Sequence, residues 1–356
     1  PMILRCLKRL QSGTSFSLTR SPRDRGRNGN DRPRPRCHDI ETMEPIRVPS
    51  LFRRAPPPTP PPGPPFSPAG KRKIQIIVRI WIKFKEPMDV AILSVSLNVY
   101  SSGRIAEEFE KAGHYVEHID HTKCSVQLGG DKPQIFYGTE NITDDFDAIV
   151  PRIGTTVTRH GAAIVKQFEM NHVFSTAKSL GIIRARNKVS TLQMMFKKGI
   201  PVPKTVFSIN PNNVDHQIEL LGGAPVIIKL QEGTQGKGVI LAESKKSAKS
   251  VIDTLYNMNT SILLQEYIEE ANGEDLRIIV VDNKIVASMK RTSGLDDFRS
   301  NVHRGAETQK VQLTPREKFM AINATKHLGL GVAGVDLIRS KNGPLLIEVN
   351  ASPGLK

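Results

Sequence analysis

The sequence predicts an α/β (α+β) protein behind a long Arg- and Pro-rich extension, and three observations lead there. From Met88 the chain reads strand, helix, strand: apolar Val90 to Val95, a helical stretch from Ser101 to Ala112 closed by Gly113, then Tyr115 to Asp120. After residue 224 short apolar runs predominate, and one pair flanks the turn dipeptide Asp282-Asn283 as a hairpin would. Finally, 356 residues at 38% hydrophobic content are enough for two or three packed units. No run approaches the roughly 18 to 20 apolar residues of a membrane span. The richest, Ile74 to Ile82, is cut by Arg79.

Charge and proline are concentrated at the start. Residues 1–87 hold 19 Lys+Arg against 6 Asp+Glu and 16 of the 25 prolines, leaving 32 against 29 in the rest. The run Pro56 to Pro65 favours extended polyproline II, so this segment is expected to be disordered. An Arg-rich tail binds nucleic acid nonspecifically by counterion release, but Phe16, Phe52, Phe66, Trp81 and Phe84 lack the regular interleaving of a base-stacking surface. A transit peptide would need less proline. The reading favoured here takes Met88 as the true start and the preceding residues as read-through upstream sequence. Cys6, Cys37 and Cys124 are distant and odd in number, which offers neither a disulfide framework nor a zinc site and makes a reducing, cytoplasmic setting the expectation.

The remaining elements follow in order. Phe146 to Arg152 is a strand and Gly161 to Met170 helical, completing an α/β unit. A helix over Lys188 to Lys198 is closed by Gly199 and stopped by Pro201 and Pro203, and another lies near Val214 to Leu221. Pro225 to Leu230, Val239 to Ala242, Ile262 to Ile268, Leu276 to Val281 and Lys284 to Lys290 read as strands. A loop is expected from Thr292 to Gln309, then a helix from Pro315 to Leu328. Strands Val332 to Arg339 and Pro344 to Val349 complete the chain, joined by Ser340 to Gly343.

Two glycine-rich stretches need separating. Gly329 to Gly334 has the letters of a dinucleotide fingerprint but follows a helix and opens a strand, so it is read as a helix-ending turn. Glu232-Gly233-Thr234-Gln235-Gly236-Lys237-Gly238 joins two strands instead. Its backbone N–H groups could cover phosphates, with Lys229 adding a point charge; a ligand-free hairpin tip is the plainer alternative.

Glu348 and Asn350, two apart on a strand, leave the same face, and Asp336 sits near opposite register on the partner strand. Three oxygen donors among apolar neighbours suit Mg²⁺, whereas an exposed Glu348 paired with lysine is the alternative. Gln265-Glu266-Tyr267-Ile268 could offer its backbone to a purine, and Asp275 could accept from a ribose; both could equally be ordinary strand chemistry. Phe298 to Gly305 carries Arg299 and Arg304 beside Asn301, a set matched to carboxylate and phosphate oxygens, with a solvated loop as the competitor.

In order, Lys188, Lys229 with the Glu232 to Gly238 loop, Gln265 to Ile268, Asp336 and Glu348 to Gly354 resemble the pattern of the ATP-grasp ligases. Val150 to Thr155, Arg184 to Lys188, Glu232 to Gly236 and Phe298 to Gly305 resemble the RimK-like branch, which adds glutamate to the C-terminus of a small-subunit ribosomal protein. The likeness covers Met88 onward and none of the first 87 residues. It implies an ATP-grasp fold of three subdomains: an N-terminal α/β domain over 88–183, a central subdomain with a glycine lid over 184–260, and a C-terminal one over 261–356.

The same resemblance implies ATP contacts from Lys188, Lys229, Glu232, Gly233, Gln235, Gly236, Gly238, Glu266, Tyr267, Asp275, Arg299, Ser300 and Asn301. Two Mg²⁺ or Mn²⁺ ions would sit at Asp336, Glu348 and Asn350. Arg299, Asn301 and Arg304 would act on an acyl phosphate formed from a carboxylate and ATP, which an amine then converts to an amide. Partners implied are glutamate and a ribosomal protein tail, in a homo-oligomer, with no membrane and no specific nucleic acid. Asn187 stands where Asp is expected and Ala306 where a second glycine is usual, and a closing segment is expected after Lys356. Alternatives are a ligase for a small molecule or coenzyme, an ATP-binding protein without ligase activity, or a nucleic-acid binder driven by the basic leader.

Overall fold

The computed structural model describes residues 86–209, 213–231, 238–258, 260–293 and 307–355. The extension through residue 85 lies outside the described residues, as do Glu232, Gly233, Gln235 and Gly236 of the glycine loop. So do Arg299, Ser300, Asn301 and Arg304.

The first unit is built on β1 (Asp89–Leu93), α1 (Tyr100–Lys111), β2 (Tyr115–Ile119), β3 (Cys124–Gln127), β4 (Gln134–Tyr137), β5 (Glu140–Asn141), β6 (Ala148–Pro151), α2 (Thr158–Met170) and β7 (Phe174–Ser175). Parallel strands in the order β2-β1-β6-β7 form its main sheet, as the strand–helix–strand opening predicts. α1 buries Ile105, Ala106 and Phe109 on one face, and Gly113 at φ 88° lets the chain turn back into β2. The small antiparallel sheet β3-β4-β5 was not anticipated: its strands are two to four residues long and mostly exposed, too short to show a period. Cys124 is buried and free, and burial pushes its thiol up to about 12.

Next come α3 (Ser179–Arg186), α4 (Lys188–Lys197), β8 (Thr205–Ser208), α5 (Val214–Leu220), β9 (Val226–Leu230), β10 (Val239–Ala242), α6 (Lys245–Asn257) and β11 (Ile262–Glu266). An antiparallel sheet β10-β9-β11-β8 has its own core, in which Ile218, Ile228, Ile252 and Leu264 are fully or almost fully buried. α6 went unread because lysine and serine make up five of its first six residues. Ala248, Ile252 and Tyr256 nevertheless recur every four residues, and Ser244 and Ser247 close a reciprocal capping box.

The third sheet is antiparallel in the order β14-β13-β12-β15-β16, from β12 (Glu274–Val281), β13 (Lys284–Thr292), β14 (Glu307–Lys310), β15 (Val332–Ser340) and β16 (Gly343–Asn350). Asp282 and Asn283 take φ 46° and 59°, the left-handed pair a tight two-residue hairpin requires. The loop expected over Thr292 to Gln309 is shorter, because its ends pair: Thr292 lies opposite Glu307 and Met289 opposite Lys310. β14 is a fully exposed polar edge strand and carries no alternation to read.

Behind this sheet α7 (Pro315–Leu328) starts at a capping box between Thr314 and Glu317 and stops at Gly329, φ 75°. Gly329 is thus a helix stop and no dinucleotide loop. Met320, Ala321, Ala324 and Leu328 of α7 share one core with Leu276, Ile278, Val335, Leu337 and Val349 of the sheet. Each large side chain buried there contributes about 1.5–3 kcal/mol, which leaves the opposite sheet face free to carry charge.

Candidate active site

That opposite face is set by register. Asp336 of β15 lies directly opposite Glu348 of β16, and Gly334 opposite Asn350, so Asp336, Glu348 and Asn350 share one side. A register shift just after Asp336 keeps this pairing while the rest of the hairpin slips by one. On the other flank of β15, Arg277 of β12 lies opposite Asp336, and Arg291 of β13 opposite Asp275. Two carboxylate–arginine pairs therefore adjoin the three predicted oxygen donors.

Contacts follow this layout. Arg277 Nη2 donates to Asp336 Oδ2 at 2.8 Å, its Nε contacts Oδ1, and Arg291 Nη2 stands 3.3 Å from Oδ2. Arg291 also grips Asp275 through Nε, 2.6 Å from Oδ1, and through Nη2. Asp336 is only 3% exposed. Burial raises its carboxyl and the neighbouring Glu348 raises it further, while Arg277 and Arg291 act in the opposite direction. Glu348, also pushed up by burial, ends below its ordinary value through the Asn350 hydrogen bond and the charges of Arg277 and Lys229.

The donor set fits a hard divalent ion. Asn350 Nδ2 donates to Glu348 Oε1 at 3.0 Å, which turns the amide oxygen away from that carboxylate and leaves it as a donor to metal. A carboxylate offers about four acceptor directions, and the one hydrogen bond from Arg277 Nη2 to Asp336 Oδ2 leaves others for an ion. Among the described residues no group of three or more His, Cys, Asp or Glu forms a complete metal cage. Two carboxylates and an amide would hold an ion whose remaining ligands are phosphate and water, the usual habit of Mg²⁺. Arg277 and Arg291 also supply positive charge to the buried Asp336 carboxylate.

Lysines approach from the other sheet. Lys229 of β9 donates to Gln265 Oε1 at 2.6 Å, and Gln265 Nε2 donates to Thr205 Oγ1 at 2.9 Å, which fixes the amide's orientation. Burial lowers Lys229 to about 8, with Lys188 adding to the effect and Glu348 and Asp336 opposing it. These mutual influences put Lys229 within electrostatic reach of Glu348 and Asp336, and Lys188 within reach of Lys229. Lys188, the first residue of α4, donates to Gln231 O at 3.2 Å. Asn187 caps that helix by accepting from Ser190 N at 2.9 Å, a task Asn performs as well as Asp.

Gly238 opens β10 at φ 74°, and a Cβ there would come within 2.6 Å of Leu230, so only glycine fits. Glu266 ends β11 with Oε1 accepting from Lys204 N at 2.7 Å, and Tyr267 follows it, half-buried. Asp275 is engaged by Arg291, so it meets a guanidinium where the sequence reading offered it to a ribose. Arg291 was missing from the sequence-derived site, and Gln265 was read there for its backbone, not for its side chain. Arg291 lies between Lys290 and Thr292, so no alternation with apolar residues marks it.

Comparison with known proteins places the chain in a family. A family model described as the RimK pre-ATP-grasp domain matches residues 88–182, and one described as the RimK-like ATP-grasp domain matches residues 185–356. A probable alpha-L-glutamate ligase of Vibrio atlanticus (strain LGP32) is 48% identical over 269 residues, 76% of this chain and 89% of that protein. One from Methanococcoides burtonii is 45% identical over the same shares of each chain. Among solved structures, the ATP-grasp ligase PsnB complexed with its minimal precursor superposes with a TM-score of 0.58 at 20% identity, over 75% of this chain and 91% of its own. A D-alanine–D-alanine ligase from Bacillus anthracis complexed with ATP gives 0.55 at 15% identity, over 76% and 88%. At those identities the superpositions speak for the fold, and the sequence matches speak for the family: the chain belongs to the RimK-like ATP-grasp ligases, enzymes that form C–N bonds with ATP.

Proposed function

We propose that this chain is an ATP- and Mg²⁺- or Mn²⁺-dependent carboxylate–amine ligase that adds glutamate to the C-terminal tail of a ribosomal protein. The observation that carries the reading is the pairing of Asp336 with Glu348, with Asn350 on the same sheet face, Lys229 in electrostatic range and Lys188 beside Lys229. The curated relatives named as glutamate ligases support the choice of amino acid.

In this reading a carboxylate oxygen of the acceptor attacks the γ-phosphorus of ATP and ADP leaves with the bridging oxygen. The glutamate amine then attacks the acyl carbon, releasing phosphate and a proton as the amide forms. Asp336, Glu348 and Asn350 would hold divalent ions, which when bound would supply charge neutralisation at the phosphate oxygens. Lys188 and Lys229 share the remaining negative charge, and Gln265 holds the Lys229 ammonium in place. Glu266 and Tyr267 border the purine, Gly238 shapes the base of the phosphate loop, and Asp275 orients Arg291. Arg299, Asn301 and Arg304 are assigned to the acyl phosphate on the sequence pattern alone.

The test is incubation with ATP, MgCl₂, glutamate and candidate acceptors, read as mass increments of one glutamyl unit, with Glu348→Gln in parallel. The expected result is acceptor-dependent ADP release and stepwise mass gain, both abolished in Glu348→Gln. Full turnover by that variant would contradict the ion assignment. Mass gain on a small carboxylic acid but on no protein tail would contradict the acceptor.

A further inference from the structure

The five residues that follow Asn350 fold back instead of leaving the sheet. Ala351 and Pro353 are buried, and Leu355 is 1% exposed. Pro353 packs over Gly334, the partner of Asn350: a Cβ at Gly334 would lie 2.8 Å from Pro353 Cβ and 3.2 Å from Arg277 Nη1. The turn therefore lies on the face that carries Asp336 and Glu348. Two residues later Leu355 enters the core of the first unit with Val90, Ile92, Ile105 and Phe109, and its N–H donates to Ser101 Oγ at 3.1 Å.

Arg152 spans the gap between the two units. Its backbone N–H is held by Leu93 O at 2.8 Å, at the end of β1, and its Nη2 donates to Pro353 O at 2.8 Å. Among the described residues no carboxylate pairs with it, and burial lowers it to about 10. A desolvated guanidinium facing one carbonyl is a poor source of stability, since its hydration is not returned by a single hydrogen bond. The fold does not depend on it for docking. Gly331 N donates to Thr176 O at 2.8 Å and Lys178 N to Gly329 O at 3.3 Å, so backbone bonds already fix the start of β15 to the same unit.

The geometry points to Arg152 as a positioning residue. By holding the Pro353 carbonyl it fixes the turn after Asn350, and so sets the Glu348 and Asn350 oxygens relative to the N-terminal unit. The inference rests on reading Asp336, Glu348 and Asn350 as an ion site. Removing a residue that orients metal ligands without touching the metal typically lowers affinity 10- to 100-fold.

The experiment measures ADP binding by calorimetry, with and without MgCl₂, for the full chain, Arg152→Met and Arg152→Lys, with thermal melts alongside. Arg152→Met is expected to raise the Mg²⁺ half-saturation about tenfold and leave metal-free ADP binding unchanged. Arg152→Lys, which keeps one donor within reach of the carbonyl, recovers part of the loss. Wild-type Mg²⁺ dependence in folded Arg152→Met overturns the inference, as does an equal fall in metal-free affinity, the mark of general loosening. Glu348→Gln separates the two layers. If it abolishes the Mg²⁺ dependence while Arg152→Met leaves it intact, only the positioning role fails; if it too changes nothing, the ion site fails and the inference with it. Should Arg152→Met not fold, Ser101→Ala, which loosens the same turn, is to raise the half-saturation severalfold, and a wild-type value counts against the proposal.

Discussion

Replacing Lys229 by methionine is expected to stabilise the free protein near neutral pH while destroying nucleotide binding. Burial lowers the Lys229 ammonium from 10.5 to about 8, and its one hydrogen-bond partner among the described residues is a neutral amide, Gln265 Oε1 at 2.6 Å. At about 1.36 kcal/mol per decade the gap corresponds to about 3 kcal/mol against folding while the group is charged in both states. Methionine keeps the stem and its packing. Stranding the Gln265 oxygen returns about 1 kcal/mol, so a net gain of about 1–2 kcal/mol is expected at pH 7. Because the unfolded chain binds this proton more tightly, wild-type stability rises by about 3 kcal/mol relative to the variant between pH about 8 and 10.5, so the two curves cross. Urea melts of both proteins at several pH values read this directly. An anionic nucleotide beside Lys229 would restore its proton. ADP binding at pH 9 should therefore take up a proton, seen by calorimetry in buffers of different ionisation enthalpy, and the variant should show none. A variant less stable than wild type at pH 7, or a stability difference independent of pH, would falsify the reasoning.

Two further perturbations test the scaffold under the site. A Cβ at Gly181 would lie 2.5 Å from Leu328 O and 3.0 Å from Leu330 Cδ2, so Gly181→Ala should separate α3 from α7 and cost about 1–3 kcal/mol in thermal or urea melts. An unchanged melt would mean that the contact gives way freely. Glu317, 1% exposed, accepts from Thr314 N at 2.8 Å and from Arg339 Nε at 2.7 Å. Burial pushes its carboxyl up, but the Arg339 and Thr314 hydrogen bonds hold it below 4.5, so its contribution is present above that pH and lost as pH falls through the lower folded value. Glu317→Gln should cost about 2 kcal/mol at pH 7 and progressively less below pH about 4, and a pH-independent difference would contradict the ion pair.

Much of this architecture is legible in residue order because local chemistry encodes it. Thr314, Pro315 and Glu317 announce the start of α7 and Gly329 its end, and the structure puts both boundaries there. Asp282-Asn283 announces the β12–β13 hairpin. α6 was illegible because Lys245, Lys246 and Lys249 mask the spacing of Ala248, Ile252 and Tyr256. α3 was illegible for a different reason. Its first turn is capped from ten residues earlier, by Glu169 accepting from Ser179 N at 2.7 Å and Ser179 Oγ at 2.9 Å, and no local signal marks it.

The same division runs through the site. Sequence alone determined that Glu348 and Asn350 share a face, since that follows from the two-residue period of a strand, and it brought Asp336 near them, since a short turn joins the two strands. Only the tertiary structure decided that Asp336 faces Arg277 and Arg291, that Asp275 is claimed by Arg291, and that Lys229, on a separate sheet, feels the charge of Glu348 and Asp336. Those pairings depend on strand order and on which sheets meet, and strand order is settled by the burial of whole faces, which no short window of sequence contains.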